Sequence, residues 1–208
     1  MSKISDLVFV RDKHVCPWWL CFTFDNIFRK LIHNPYKILS HYIKEGDTVL
    51  DVGPGMGYFT IPMAKMVGVK GRVIAVDIQE KMLLALKKRA QQAGVEKRVI
   101  GHLSSKDSLG IKEQVNFILA FWMVHEVPDR KRFLNELFSV LKDNGTFLLV
   151  EPPFHVTKAN FAKTVNLAVQ AGFKVSAQKG SRSVLLVKQQ FGKRGQANAG
   201  RSVSELVS

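Results

Sequence analysis

The sequence predicts a doubly wound α/β fold: a mostly parallel seven-stranded sheet with an antiparallel C-terminal edge hairpin. Three observations predict this class. From residue 48 onward, short apolar runs alternate with longer stretches of helical composition. Three closely spaced glycines follow the first apolar run. The last two apolar runs are joined by a Gly-Ser turn, which is typical of a hairpin.

Two strands and two helices are predicted first. Thr48–Val52 is a compact apolar strand that ends in glycines, and Tyr58–Val67 follows it with helical composition. Arg72–Asp77 is rich in β-branched residues and forms the second strand. Glu80–Ala93 places apolar residues on one helical face, and Gly94 follows where many helices end.

The same alternation continues after residue 96. Lys97–His102 is predicted as a short third strand and Asn116–Phe121 as a buried fourth strand. A helix covers Asp129–Leu141, with its first residue as the cap. The dipeptide Asn144-Gly145 forms the turn into the fifth strand, Thr146–Glu151.

The C-terminal part supplies the last helix and the hairpin. Thr157–Ala171 is helical in pattern, and Gly172 closes it. The hairpin consists of Phe173–Gln178 and Ser183–Lys188 around the Gly180-Ser181 turn. We therefore divide the chain into three regions: a helical and aromatic lid (1–47), a core (48–190) and a basic, flexible tail (191–208).

Composition limits the possible partners and compartments. The net charge is +14, and the segment from Pro153 onward has nine basic side chains and one acidic side chain. Such a basic end suits an anionic partner such as nucleic acid, or it is simply a solvated surface. The longest apolar run, around Phe117–Val124, is too short to span a membrane. Two cysteines and no recognisable signal peptide favour the cytoplasm. We expect a monomer or a homodimer.

The stretch VLDVGPGMGYFT predicts the ligand site. Gly53, Gly55 and Gly57 follow a strand and open a helix, in the spacing G-x-G-x-G and not the dinucleotide spacing G-x-G-x-x-G. Asp77 ends the next strand, where a carboxylate can accept hydrogen bonds from both hydroxyls of a ribose. Asp51 places a negative charge at the glycine loop, which disfavours a pyrophosphate and favours a ligand with sulfonium and ammonium groups.

These residues resemble motifs I and II of the class I S-adenosylmethionine-dependent methyltransferases. The sequence is most similar to the small-molecule "type 11" group, which includes ubiquinone-pathway methyltransferases. The resemblance covers about residues 45–153, including NFILAFWMVHEVPD and LKDNGTFLLVEP. It implies a Rossmann-like fold, S-adenosylmethionine as cofactor, and methyl transfer to a small-molecule acceptor.

The resemblance also implies roles for single residues. The backbone of Gly53–Gly57 is expected to hold the methionine part of the cofactor and Asp77 to bind the ribose. Ile78 and Met82 are expected to flank the adenine, although Met82 also fits an ordinary helix core. The acidic residue that the family usually has after strand three is missing, and Leu103 and Ser104 are expected to replace it through backbone and hydroxyl contacts. The full expected set is Asp51, Gly53, Pro54, Gly55, Gly57, Asp77, Ile78, Met82, Leu103, Ser104 and Phe121.

His125 is the candidate catalytic base, because it follows strand four at the cofactor crevice. Plant-type O-methyltransferases have a similar run in which this histidine is the base. Glu126 or Asp129 could orient the ring. The alternatives are a histidine that only bonds to backbone and an Asp129 that only caps a helix.

The sequence gives weaker indications of other functions. Glu151-Pro152-Pro153-Phe154 looks like the motif of enzymes that methylate base amines, but it follows strand five, so we interpret it as a pocket wall. Cytosine C5 methylation needs a cysteine near strand four or five, and the only cysteines are Cys16 and Cys21. The open rivals are an RNA or protein methyltransferase, a non-catalytic cofactor-binding module and, last, a dinucleotide oxidoreductase.

The segment HVCPWWLCFTFDN (14–26) precedes the core and is unusually aromatic. We interpret it as part of a lid that excludes water and shapes a pocket for a hydrophobic or planar acceptor. The alternative is plain packing of four aromatic side chains, Trp18, Trp19, Phe22 and Phe24. His14, Cys16 and Cys21 offer soft ligands for a metal or metalloid substrate, yet lack the C-x2-C spacing of firm zinc sites, so we assign no metal.

Overall fold

The computed structural model describes residues 33–188. The predicted tail and most of the predicted lid, including the aromatic segment with His14, Cys16 and Cys21, lie outside the described residues. Within the described range, no helix is long and apolar enough to cross a membrane.

Strands and helices alternate along the described chain, as the apolar pattern predicts. The strands are β1 (Thr48–Val52), β2 (Arg72–Asp77), β3 (Val99–Leu103), β4 (Val115–Phe121), β5 (Leu141–Val150), β6 (Lys174–Gly180) and β7 (Ser183–Val187). The helices are α1 (Pro35–Leu39), α2 (Thr60–Met66), α3 (Glu80–Gln92), α4 (Arg130–Val140) and α5 (Lys158–Gln170). Short 3-10 turns cover Glu96–Arg98 and Val124–Glu126.

One seven-stranded sheet has the strand order β3-β2-β1-β4-β5-β7-β6. Strands β1 to β5 pair in parallel, and β7 pairs antiparallel with both β5 and β6. The chain winds outward from β1 to β3 and then crosses back to place β4 on the other side of β1. Ligands of such sheets bind outside the carboxyl ends of the strands at this reversal of direction.

The predicted fold class is confirmed, with differences at the ends of single elements. β5 begins at Leu141 because α4 leads into it without a separate loop. The turn predicted at Asn144-Gly145 is not a separate element, because both residues lie inside β5, where Asn144 has a φ of 61° and the register with β4 is irregular. The reversed strand is β7, which lies inside the sheet, so the edge strand β6 runs in the same direction as β1 to β5.

The core lies on both faces of the sheet because successive strand residues point to opposite sides. Along β1, Leu50 and Val52 pack into one hydrophobic cluster and Val49 into the other. Along β4, Ile118 belongs to the first cluster and Phe117 to the second. Burial on both faces accounts for the near-continuous apolar runs of the central strands.

Candidate active site

The glycine-rich turn between β1 and α2 has a backbone that few other residues tolerate. Gly53, Gly55 and Gly57 have φ angles of 67°, 54° and 92°, all in the left-handed region that a Cβ disfavours. The amide of Gly53 donates to the Val76 carbonyl (2.9 Å), and that of Gly57 donates to the Pro54 carbonyl (2.9 Å). The first of these bonds ties the turn to the end of β2.

The three glycines have different surroundings. A Cβ on Gly57 would lie 2.4 Å from Leu86 Cδ1, and a Cβ on Gly53 would lie 3.0 Å from Met123 Cγ. A Cβ on Gly55 would meet no atom within 4 Å. Gly53 and Gly57 therefore permit close packing of the turn. Gly55 borders open space, where a ligand can approach the backbone.

Asp51 is held beneath this turn. It is 3% exposed, and Thr60 Oγ1 donates a hydrogen bond to its Oδ2 (2.6 Å). Thr60 is itself buried at the start of α2. A carboxylate is thus fixed at the carboxyl end of β1, where it favours a cationic ligand group and disfavours a phosphate.

Asp77, the last residue of β2, lies next to the glycine turn. Its Oδ1 accepts a hydrogen bond from the Gln79 amide (2.9 Å), and the amides of Gly55 and Ile78 also bond to the carboxylate. Burial raises the pKa of Asp77 from 3.8 to about 6, and the backbone bonds oppose this rise. The carboxylate is therefore poorly solvated, and two hydroxyl donors from a ribose would improve its environment.

The ends of β2 and β3 expose an apolar surface suited to a planar base. Ile78 is 38% and Leu103 53% exposed. The sheet register pairs Asp77 with Leu103, which brings the two strand ends together. Met82 is 3% exposed, so its side chain lies inside the protein. The Ser104 amide donates to the Asp77 carbonyl (3.0 Å), so the backbone contact expected of Ser104 is already used within the protein.

An aromatic wall stands on the other side of the turn; it consists of His33, Phe121, Trp122 and Phe154. The Trp122 ring lies 5.0 Å from the ring of His33, 5.3 Å from Phe121 and 5.5 Å from Phe154. Trp122 has a φ of 63°, which strains a bulky residue. Its amide donates to the Val150 carbonyl (2.8 Å), which holds this conformation.

His125 follows this wall and pairs with a buried carboxylate. Its Nδ1 lies 2.8 Å from Glu151 Oε2, and the Glu151 side chain is 1% exposed. The hydrogen bond to Glu151 raises the pKa of His125 above 6.5; burial and the Arg130 cation oppose the rise, and the Glu126 carboxylate adds to it. The two partners come from the ends of neighbouring parallel strands, β4 and β5.

The sequence reasoning missed Glu151 as the partner of His125. Asp129 does not orient the ring, because its Oδ1 accepts the Arg132 amide (2.9 Å) as the cap of α4. Glu126 Oε1 lies 3.9 Å from His125 Nε2, which is too long for a hydrogen bond. The sheet register could have identified this pair, because Glu151 follows β5 and His125 follows β4, and these two strands are neighbours.

Comparison with known proteins identifies the family to which the chain belongs. A methyltransferase-domain model matches residues 43–191. A demethylmenaquinone methyltransferase of Lactobacillus johnsonii is 30% identical over 112 residues, which are 52% of this chain and 45% of that protein. The ubiquinone/menaquinone biosynthesis C-methyltransferase UbiE of Enterobacter sp. is 29% identical over 110 residues, 52% of this chain and 44% of that protein.

The chain thus spans less than half the length of these curated relatives. A solved S-adenosylmethionine-dependent methyltransferase from Aquifex aeolicus superposes with a TM-score of 0.73 at 27% identity, over 83% of this chain and 97% of that one. The seven-stranded α/β fold of the chain agrees with this structural match. The chain therefore belongs to the class I S-adenosylmethionine-dependent methyltransferases.

Proposed function

We propose that the protein transfers a methyl group from S-adenosylmethionine to a small molecule with a hydrophobic, planar ring. The observation that carries this proposal is the position of the aromatic wall beside the glycine turn. Met123 lies against Gly53 and directly follows Trp122 in the chain. The wall and the predicted cofactor turn therefore border the same crevice.

The residues of the turn fit the cofactor. The open space at Gly55 leaves its backbone accessible to the methionine part, for which Gly53–Gly57 would be the cradle. The buried charge of Asp51 favours the sulfonium and ammonium groups. Asp77 would accept hydrogen bonds from the ribose hydroxyls, which replace the water that its burial excludes.

The adenine would lie on the apolar strand ends. Ile78 and Leu103 expose enough side-chain surface to be covered by a base. Ser104 would contribute through its hydroxyl, since its amide is occupied within the sheet. Met82 is buried, so almost none of its side chain is available for direct contact with the adenine ring.

The wall supports a planar acceptor. Aromatic rings favour edge-to-face and offset contacts with other rings, and Phe154 presents a side chain that is 64% exposed. The strained backbone of Trp122 lies at the site itself, as is common where strain serves function. The relatives include enzymes named for demethylmenaquinone and for ubiquinone and menaquinone biosynthesis, so we propose a reduced quinone-like ring as the acceptor class.

When bound, S-adenosylmethionine supplies a methyl group already activated by its sulfonium. The protein mainly aligns the acceptor with that methyl group and excludes water, and alignment alone can account for much of the acceleration. His125 lies two residues after Met123, the residue that lies against Gly53, and its side chain is 25% exposed. It is our candidate for the group that removes the acceptor's proton.

Methyl-labelled S-adenosylmethionine, purified protein and a dihydroxynaphthalene test the proposal. Trp122→Leu should raise the acceptor KM about tenfold or more, because it removes most of a stacking surface. Calorimetric affinity for S-adenosylmethionine should not change. The matched control is Phe138→Leu, whose ring packs on Phe173 away from the site. No transfer to the ring compound, or equal effects of both variants on KM, would contradict the proposal.

RNA is the second candidate acceptor, favoured by one specific observation. The first turns of α4, which Asp129 caps, and of α5 contain four cations and no acidic residue, although cations are unfavourable at helix N-termini: Arg130, Lys131, Arg132 and Lys158. Both helix starts lie at the same edge of the sheet as the candidate site. Label in RNA, with binding that weakens steeply as salt rises, would select this candidate. A protein acceptor and a non-catalytic binding role are the remaining alternatives, and the cytoplasmic location and the monomeric or homodimeric state stay predictions.

A further inference from the structure

His125 and Glu151 form a hydrogen-bonded pair in which the carboxylate is almost completely buried. Among the described residues, His125 is the only side chain that hydrogen-bonds to the Glu151 carboxylate. That carboxylate is 1% exposed at the side chain. A buried carboxylate is costly unless it is paired, and His125 supplies that pairing.

The backbone around Glu151 is fixed by three further bonds. The Glu151 amide donates to the Arg182 carbonyl in the turn before β7 (2.8 Å). Arg182 Nε donates to the Val156 carbonyl (2.8 Å), and the Val156 amide donates to the Pro152 carbonyl (2.9 Å). These bonds link the segment 151–156 to the turn before β7 and so fix the backbone that carries the carboxylate.

We propose that Glu151 is a positioning residue that fixes His125 with Nδ1–H donated to the carboxylate and Nε2 as the proton acceptor, so that the methyl acceptor is a ring that bears a hydroxyl and is methylated on that oxygen or on the ring carbon conjugated with it. This inference rests on the proposed function and narrows its substrate class. A neutral amine or an ionised thiol needs no base to attack a methyl group. A ring hydroxyl does, because its unperturbed pKa of about 10 leaves it neutral at physiological pH.

The step balances as follows. The hydroxyl proton passes to His125 Nε2, and the phenolate oxygen, or the ring carbon conjugated with it, forms a bond to the methyl carbon. The bond between that carbon and the sulfonium sulfur breaks, and its electron pair stays on the sulfur. When carbon is methylated, that carbon then loses its proton to solvent and the ring oxygen takes up a proton from solvent, which restores the aromatic hydroxyl. The imidazolium of His125 is stabilised by Glu151 until it releases its proton to solvent.

Charged and titratable groups face His125 from each neighbouring element. Glu151 follows β5, and Glu126 lies in the same 3-10 turn as His125. Arg130 acts from the start of α4, and the His155 ring stacks 6.1 Å away in the loop after β5. Glu151 has the largest effect of this set on the titration of His125.

The tautomer can be tested without any acceptor. Long-range proton–nitrogen NMR of the histidine rings should show His125 as the Nδ1–H tautomer, with a pKa above 6.5. Glu151→Gln should lower that pKa more than the matched control Glu126→Gln does. The inference is overturned by an Nε2–H tautomer in the wild type, or by an equal or smaller change in Glu151→Gln.

The role in the reaction is tested with three naphthalenes that differ only in the nucleophile: a naphthol, a naphthylamine and a naphthalenethiol. Glu151→Gln should lower kcat for the hydroxyl acceptor by about 100-fold or more and move the rising limb of its pH profile to lower pH. Glu126→Gln should stay within about threefold of the wild type. Transfer to the thiol should be nearly unaffected by either substitution.

The outcomes separate this inference from the proposed function. A hydroxyl acceptor methylated equally well by wild type and Glu151→Gln overturns the inference and leaves the proposed function intact. An enzyme that methylates none of the three compounds contradicts the proposed acceptor, and the NMR titration then decides the role of Glu151 alone. Retained calorimetric affinity for S-adenosylmethionine in Glu151→Gln confirms that the variant is folded.

Discussion

Replacing Asp77 with asparagine should weaken cofactor binding and stabilise the free protein at the same time. The pKa of this buried carboxyl is about 6 in the folded chain, against an ordinary value of 3.8. Each pKa unit corresponds to about 1.4 kcal/mol, so keeping Asp77 ionised costs the folded state about 3 kcal/mol at neutral pH. Asparagine removes that charge and keeps an oxygen for the Gln79 amide.

The pH dependence of this cost has a definite sign. An acid whose pKa is raised on folding destabilises the protein as the pH rises from 3.8 to about 6, and the cost is complete above that range. The stability advantage of Asp77→Asn should therefore be largest above pH 6 and disappear near pH 4. Urea unfolding at several pH values measures it as the difference in the free energy of unfolding between variant and wild type.

Cofactor affinity should move in the opposite direction. A charged hydrogen bond contributes about 1.5–3 kcal/mol, so Asp77→Asn should weaken S-adenosylmethionine binding about tenfold or more in calorimetry. Asp77→Ala should weaken it at least as much. Glu113→Gln is the matched control, because Glu113 pairs with Arg72 at the amino ends of the strands, away from the site. Unchanged affinity in Asp77→Asn, or lower stability at every pH, would refute the reasoning.

Four further substitutions probe the glycine turn, the cap of α4 and the surroundings of His125. Gly57→Ala should destabilise the fold by about 1–3 kcal/mol, because the φ of this residue is 92° and the new Cβ would lie 2.4 Å from Leu86. Gly55→Ala should lower the free energy of unfolding less than Gly57→Ala does, but it should weaken S-adenosylmethionine binding more. A melting temperature of Gly57→Ala equal to that of the wild type would contradict this. Asp129→Ala should cost about 1 kcal/mol in urea unfolding through the lost helix cap, with cofactor affinity unchanged if the aspartate has no other role. Arg130→Gln should raise the pKa of His125 in an NMR titration, because it removes a nearby cation; a lowered pKa would show that the guanidinium acts otherwise.

The parts of the fold that depend on local pattern could be predicted from the sequence. Burial on both faces produces the unbroken apolar strands, and the glycine turn requires residues that tolerate φ angles of 54° to 92°. Asp77 could be placed at a strand end because the strand itself is short and well defined. The antiparallel hairpin was recognisable from its turn. Its position was not, since nothing in the local sequence states that β7 inserts between β5 and β6.

The partner of His125 depends on a contact between distant segments. Glu126 and Asp129 are closer in sequence, but one is too far for a hydrogen bond and the other caps a helix. Glu151 is 26 residues away and becomes adjacent only because β4 and β5 are parallel neighbours. Proximity in sequence therefore favoured acids that do not bond to His125, and the partner observed is the one that the sheet register brings next to it.

The strand order also has a consequence for how such an enzyme can change. Every residue predicted to bind the cofactor except Phe121 comes from residues 51–104, on the side of the sheet formed by β1, β2 and β3. His125, Glu151 and Phe154 come from the opposite half. The two halves join along the ladder between β1 and β4. Chimeras that exchange the later half between relatives should inherit a new acceptor while keeping the same methyl donor, so substrate choice can diversify without rebuilding the cofactor pocket.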